Sequence, residues 1–161
     1  MSAVRGSASA MVSAPPEQVW RLVQDVTRIG EWSPETEAAE WVSGRPGEVG
    51  ARFRGRNRRG RSSWSTTCEV VETIPCRTFA FVVGKTGKPS ARWRYDLEPV
   101  KGGTRVTESF ELPKPLGFVS RLTTRLFLGV RDREADLVAG MQQTLQRLGA
   151  AAESAAGAPR R

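Results

Sequence analysis

Glu108 is the residue here whose setting is least ordinary for its type. In GTRVTESFEL, alternation puts Val106, Glu108 and Phe110 on one strand face and Arg105, Thr107, Ser109 and Glu111 on the other. A carboxylate on an apolar face is costly unless paired, and burial raises its pKa. An acid so raised in an apolar pocket can serve as general acid or base. The alternatives are an ion pair with an inward arginine or a local bulge that turns the side chain to water. Tyr95, in ARWRYDLEP, shares a face with Ala91, Trp93 and Leu97. Its phenol is the second acid/base candidate.

Much other chemistry is excluded, because the sequence contains no histidine. Imidazole-dependent triads and His-containing zinc sites cannot be built. Cys68 and Cys76 are the only thiols, and two make a poor metal site; Cys68 reads as a buried structural cysteine. No metal or cofactor is expected. Gly84-Lys85-Thr86 ends like a phosphate-binding loop, but Phe79 stands where the leading glycine belongs. Gly44, Gly47 and Gly50 precede a strand, not the helix that a dinucleotide fingerprint opens.

Parity extends the inward face along neighbouring strands: Ala51 and Phe53; Trp64, Thr66, Cys68 and Val70; Phe79, Phe81 and Val83. These residues read either as core against a helix or as the wall of a cavity. Phe53, Trp64, Trp93 and Tyr95 are broad, rigid surfaces suited to a flat apolar ligand.

The elements that must position this face follow from periodicity. A weak alternation over 4–14 predicts a first strand, and Pro15-Pro16 then opens a short helix with Val19, Trp20, Leu22, Val23 and Val26 at helical spacing. TRIGEWSP, 27–34, predicts a second short helical turn. Period-two segments follow at 38–43, 49–57, 62–73, 77–84, 90–99 and 103–112, divided by glycine-rich links too short for parallel crossovers. Beyond Pro113 and Pro115 the period becomes helical, with one stripe through Phe118, Leu122, Leu126 and Val130 and another through Leu137, Val138, Met141, Leu145 and Leu148. Leu122, Leu126, Leu137 and Met141 fall on these stripes. One domain over 1–150 is predicted, with 151–161 a frayed tail.

The net charge is +8, and seven arginines against one glutamate between positions 45 and 61 carry most of it. Parity puts Arg52, Arg54 and Arg56 outside and Asn57 to Arg61 at a hairpin tip, a solvated edge. Anionic ligands, anionic lipid surfaces and nonspecific polyanions are its alternative partners; no specific nucleic-acid reader matches. Lys114, Arg121, Arg125 and Arg131 beside the 118–130 stripe make a basic amphipathic helix, either packed on the domain or a lid in transient contact with anionic membrane. No apolar run approaches the roughly 20 residues of a membrane span. Without a signal-like N-terminus, a cytoplasmic location is expected.

The words APPEQVW, EWSP, GARFRGRNRRG, RWRYDLEP and GGTRVTESFEL, in this order from residue 4 to about 150, resemble the START-like SRPBCC superfamily, in particular its polyketide cyclase/dehydrase branch. The resemblance implies an α+β helix-grip fold: a curved antiparallel sheet of about seven strands around a long C-terminal helix, with two short helices after the first strand. It also implies a cavity for a small hydrophobic molecule such as a lipid or polyketide, with Leu122, Leu126, Leu137 and Met141 as the helical side of its wall. Binding or carriage is the leading functional expectation. A cyclase, aromatase or dehydratase using Glu108 and Tyr95 is the second, and a polyanion-binding module using the Arg52–Arg61 hairpin the third.

Overall fold

The computed structural model describes residues 4–85, 87–112 and 133–157. In chain order it contains β1 (Val4–Val12), α1 (Pro16–Val23), a 3-10 turn (Val26–Glu31), β2 (Thr36–Ser43), β3 (Arg52–Arg59), β4 (Ser62–Ile74), β5 (Thr78–Lys85), β6 (Lys88–Val100), β7 (Gly103–Leu112) and α2 (Arg133–Ala156). The seven strands form one antiparallel sheet in the order β1-β7-β6-β5-β4-β3-β2. Successive hairpins join β2 through β7, so α1 and the 3-10 turn carry the chain from one sheet edge to the other. The sheet wraps α2, as the helix-grip resemblance implies.

Local chemistry explains the crossing segment. Pro15 is extended and Pro16 opens α1, where a missing N–H costs nothing. Val19, Leu22 and Val23 are buried against the core. The Asp25 carboxylate then accepts from the Thr27 amide at 3.1 Å and starts the 3-10 turn. That turn spans Val26–Glu31 rather than 27–34, and the buried Trp32 follows it.

Two boundaries differ from expectation for reasons of local geometry. The basic strand begins at Arg52 rather than residue 49, because Gly47 and Gly50 turn with φ of 81° and 90° just before it. The β3–β4 turn contains only Gly60 and Arg61, not Asn57 to Arg61. Asn57 therefore stays in the ladder opposite Trp64, buried on the inner face. Arg59 keeps the same inward parity, while Arg54, Arg56 and Arg58 face out.

α2 presents Leu137, Met141, Thr144, Leu145, Leu148 and Ala152 to the sheet at helical spacing. It also corrects the expected tail, since the helix continues to Ala156. Alanine is the best helix former, and small side chains are what this crossing needs. Ala152 is fully buried, Gly149 lies against Val12, and Glu153 accepts a hydrogen bond from the Ser13 amide at 2.9 Å. The expected stripe over 118–130, including Leu122 and Leu126, lies outside the described residues.

The outer sheet face is charged and extensively paired. Arg92 and Arg94 reach Glu72, Arg94 also holds Asp96, Arg105 meets Glu98, and Arg56 and Arg58 flank Glu37. Such half-exposed pairs contribute little individually. They do leave the inner face as the apolar one.

Candidate functional site: a cavity between sheet and helix

Between the inner sheet face and α2 lies a cavity of about 620 Å3, within the range of small-molecule sites. Its buried wall includes Phe53, Cys68, Phe81, Tyr95, Glu108 and Met141, with the half-buried Trp64, Thr66, Val83 and Trp93 beside them. Leu137 closes the helical side. Pro34, Arg58 and Gly60 are exposed lining residues and mark the mouth. The arrangement follows from strand parity: Phe53 packs edge-on to Phe81 at 5.1 Å, and Trp93 tilts against Phe110 at 5.6 Å.

Six expected wall residues, Ala51, Val70, Phe79, Leu97, Val106 and Phe110, do not line the cavity. Phe79 and Val106 are completely buried and Phe110 nearly so, and all are core. Phe79 meets Trp20 of α1, whereas Phe110 lies over Gly6, where an added Cβ would come within 2.5 Å of its ring. Parity assigns a residue to a face; its position along the strand decides whether helix or cavity lies above it. Leu122 and Leu126 cannot be placed here, as they fall outside the described residues.

Glu108 and Tyr95 are brought together. Glu108 is 4% exposed and stands in regular register between Ala8 and Tyr95, without a bulge, and no arginine among the described residues pairs with it. The Tyr95 hydroxyl donates to Glu108 Oε1 at 2.9 Å, and Oε2 has no partner among the described residues. Burial pushes the Glu108 carboxyl up to about 8, against the opposing effect of the Tyr95 hydrogen bond. Burial, followed by the charge and hydrogen bond of Glu108, holds the Tyr95 phenol well above its usual range. At neutral pH the pair is a protonated acid beside a neutral phenol.

A second polar group was hidden from alternation. The Thr36 hydroxyl donates to Asn57 Oδ1 at 2.7 Å, and Asn57 Nδ2 donates to Thr66 Oγ1 at 3.1 Å. This chain satisfies the buried amide along the cavity wall. Its only sequence signal is the inward parity of Asn57, which an expected turn over 57–61 obscures. At the mouth, Arg59 forms a bidentate pair with Asp136, tying the β3–β4 hairpin to α2.

Cys68 lies in the wall, and burial raises its thiol to about 12 although the Thr66 hydroxyl opposes the shift. Iodoacetamide should therefore modify the half-buried Cys76 of the folded protein and spare Cys68, as read by peptide mass spectrometry. Equal labelling would contradict the enclosure of this wall. Among the described residues, no group of three metal-ligating side chains occurs. No described helix is long and apolar enough to cross a membrane.

The chain is 32% identical to the Polyketide_cyc-like protein Cgl2372 from Corynebacterium glutamicum, whose solution NMR structure matches with a TM-score of 0.61 over 92% of this chain and 90% of that one. The di-domain ARO/CYC StfQ from the steffimycin biosynthetic pathway shares the fold at a TM-score of 0.76 and 13% identity, over 97% of this chain and 52% of StfQ. Ara h 8.0201 shares it at 0.67 and 12% identity, over 95% and 99% of the respective chains. No curated protein matches the chain. The family model for polyketide cyclase/dehydrase and lipid transport matches residues 3–153, and with the helix-grip fold around an internal cavity this establishes that the chain belongs to that family, within the START-like SRPBCC superfamily.

Proposed function

We propose that this protein binds and carries a small hydrophobic molecule, lipid- or polyketide-like, in the cavity between the sheet and α2. The observation that carries the reading is the cavity itself: about 620 Å3, walled by Phe53, Trp64, Phe81, Trp93 and Met141. Burying an apolar molecule against this wall gains the ordinary hydrophobic stabilisation, at about 25 cal/mol per Å2 of apolar surface. The charged residues at the mouth stay hydrated while the ligand is enclosed. The arginine-rich outer face is a solvated, ion-paired surface in this reading, not a nucleic-acid reader.

The experiment is native mass spectrometry after mild purification, followed by solvent extraction. The expected result is a stoichiometric adduct that extraction releases as an apolar small molecule. A chain that is always unliganded, with no change in tryptophan emission on titration with neutral aromatic probes, would overturn the reading.

The Tyr95–Glu108 contact favours a second reading, cyclisation or dehydration of a bound polyketide with Glu108 as proton donor or acceptor. The extracted molecule distinguishes the two. A carrier returns it unchanged after prolonged incubation, whereas an enzyme converts it and loses conversion in Glu108→Gln while binding persists.

A further inference from the structure

Glu108 carries an unused hydrogen-bonding atom. The phenol proton of Tyr95 is committed to Oε1, so the hydrogen of the neutral acid belongs on Oε2. That atom has no partner among the described residues and lies in a side chain that lines the cavity. A buried donor with nothing to donate to costs free energy, and an acceptor on a ligand recovers it.

Among the described residues, the other titratable and charged groups facing the cavity do not replace that acceptor. From β6 comes Tyr95, already committed, and from β4 comes Cys68, whose thiol is held protonated by burial. β1 opposes Glu108 with Ala8. From α2 the charged lining residue is Asp136, engaged by Arg59 of β3; Glu35 and the exposed Arg58 line the same cavity. A ligand anion placed next to the neutral Glu108 would be a buried charge that no cation pairs with there among the described residues, which a low-dielectric wall penalises.

We propose that Glu108 Oε2 is the polar anchor of the cavity and selects neutral apolar ligands bearing a hydrogen-bond acceptor, a ketone-type carbonyl, over fatty-acid-like anions. This rests on the cavity being a ligand site, as argued above, and adds what the ligand must carry. Tyr95 acts as a positioning residue, because its hydrogen bond to Oε1 leaves the acid proton on the other oxygen.

The test compares three probes of one shape: methyl naphthyl ketone, ethylnaphthalene and naphthoate, titrated by tryptophan quenching and calorimetry. At about pH 6 the ketone should bind about tenfold more tightly than ethylnaphthalene, and naphthoate more weakly than the ketone. In Glu108→Leu the ketone's advantage should vanish while ethylnaphthalene binds as before. Should that variant not fold, the wild-type protein gives the same information. Its ketone preference should be lost by about pH 9.5, where the carboxyl has ionised and no longer donates. Equal binding of ketone and ethylnaphthalene, or tighter binding of naphthoate than of the ketone, would overturn the proposal and leave the cavity reading intact. Failure of all three probes to bind would overturn both.

Discussion

Glu108→Gln is expected to leave stability unchanged near ~pH 3, below the unfolded pKa, and to raise it by about 4–5 kcal/mol near ~pH 9. The sign follows from the direction of the shift. Burial raises the folded-state pKa to about 8 from an ordinary value of 4.5, so the folded protein binds this proton more tightly than the unfolded chain does. The contribution is fully present below the unfolded pKa and is lost as pH rises through the folded one. Glutamine mimics the protonated acid, accepts from Tyr95 in the same way and never ionises. Urea titrations of both proteins across this range check the prediction. The difference between them isolates Glu108 from the surface carboxylates, which both share. Parallel profiles would mean that Glu108 reaches water when ionised and that the cavity floor is not closed.

Phe79→Ala should cost about 3–5 kcal/mol, the range for deleting a large aromatic from a close-packed core. Phe79 is fully buried and touches both Trp20 and Phe81, so the space it vacates is enclosed by α1 and the sheet. Trp64→Ala should behave oppositely. Trp64 is half-buried and lines an existing cavity, so its removal should cost only about 1 kcal/mol of stability while weakening apolar probes by about tenfold or more. Thermal melts and probe titrations on both variants separate the roles. A strongly destabilised Trp64→Ala with unchanged binding would remove Trp64 from the site and return it to the core.

How much was legible in the sequence depends on how local each signal is. Alternation identified the inner faces of β3 to β7 because the period of two is fixed by strand geometry and the outer positions are charged. It placed Glu108 and Tyr95 on one face, and antiparallel register then made them neighbours. Alternation could not separate Phe79, Val106 and Phe110 from the true wall, because distance along a strand relative to α1 and α2 is a tertiary fact. The turn at Gly60 was visible, but its length was not. Three residues at the end of β3, Asn57 to Arg59, pass from loop to strand, and with them Asn57 joins the wall. The last turns of α2 were missed for a related reason: a run of alanines looks unable to pack until Val12 and Gly149 are seen in contact.

The most direct test of the cavity as a ligand site is to fill it. Ala91 is buried, faces the cavity from β6 and pairs with Val83, so Ala91→Phe puts a ring into the space without touching the Glu108–Tyr95 pair. A neutral solvatochromic probe such as Nile red, titrated into the wild-type protein, should bind one to one with a blue-shifted emission. Ala91→Phe, still folded by circular dichroism, should weaken that binding at least about tenfold. Identical binding by the two proteins would place the probe elsewhere on the surface and contradict the cavity as the ligand site.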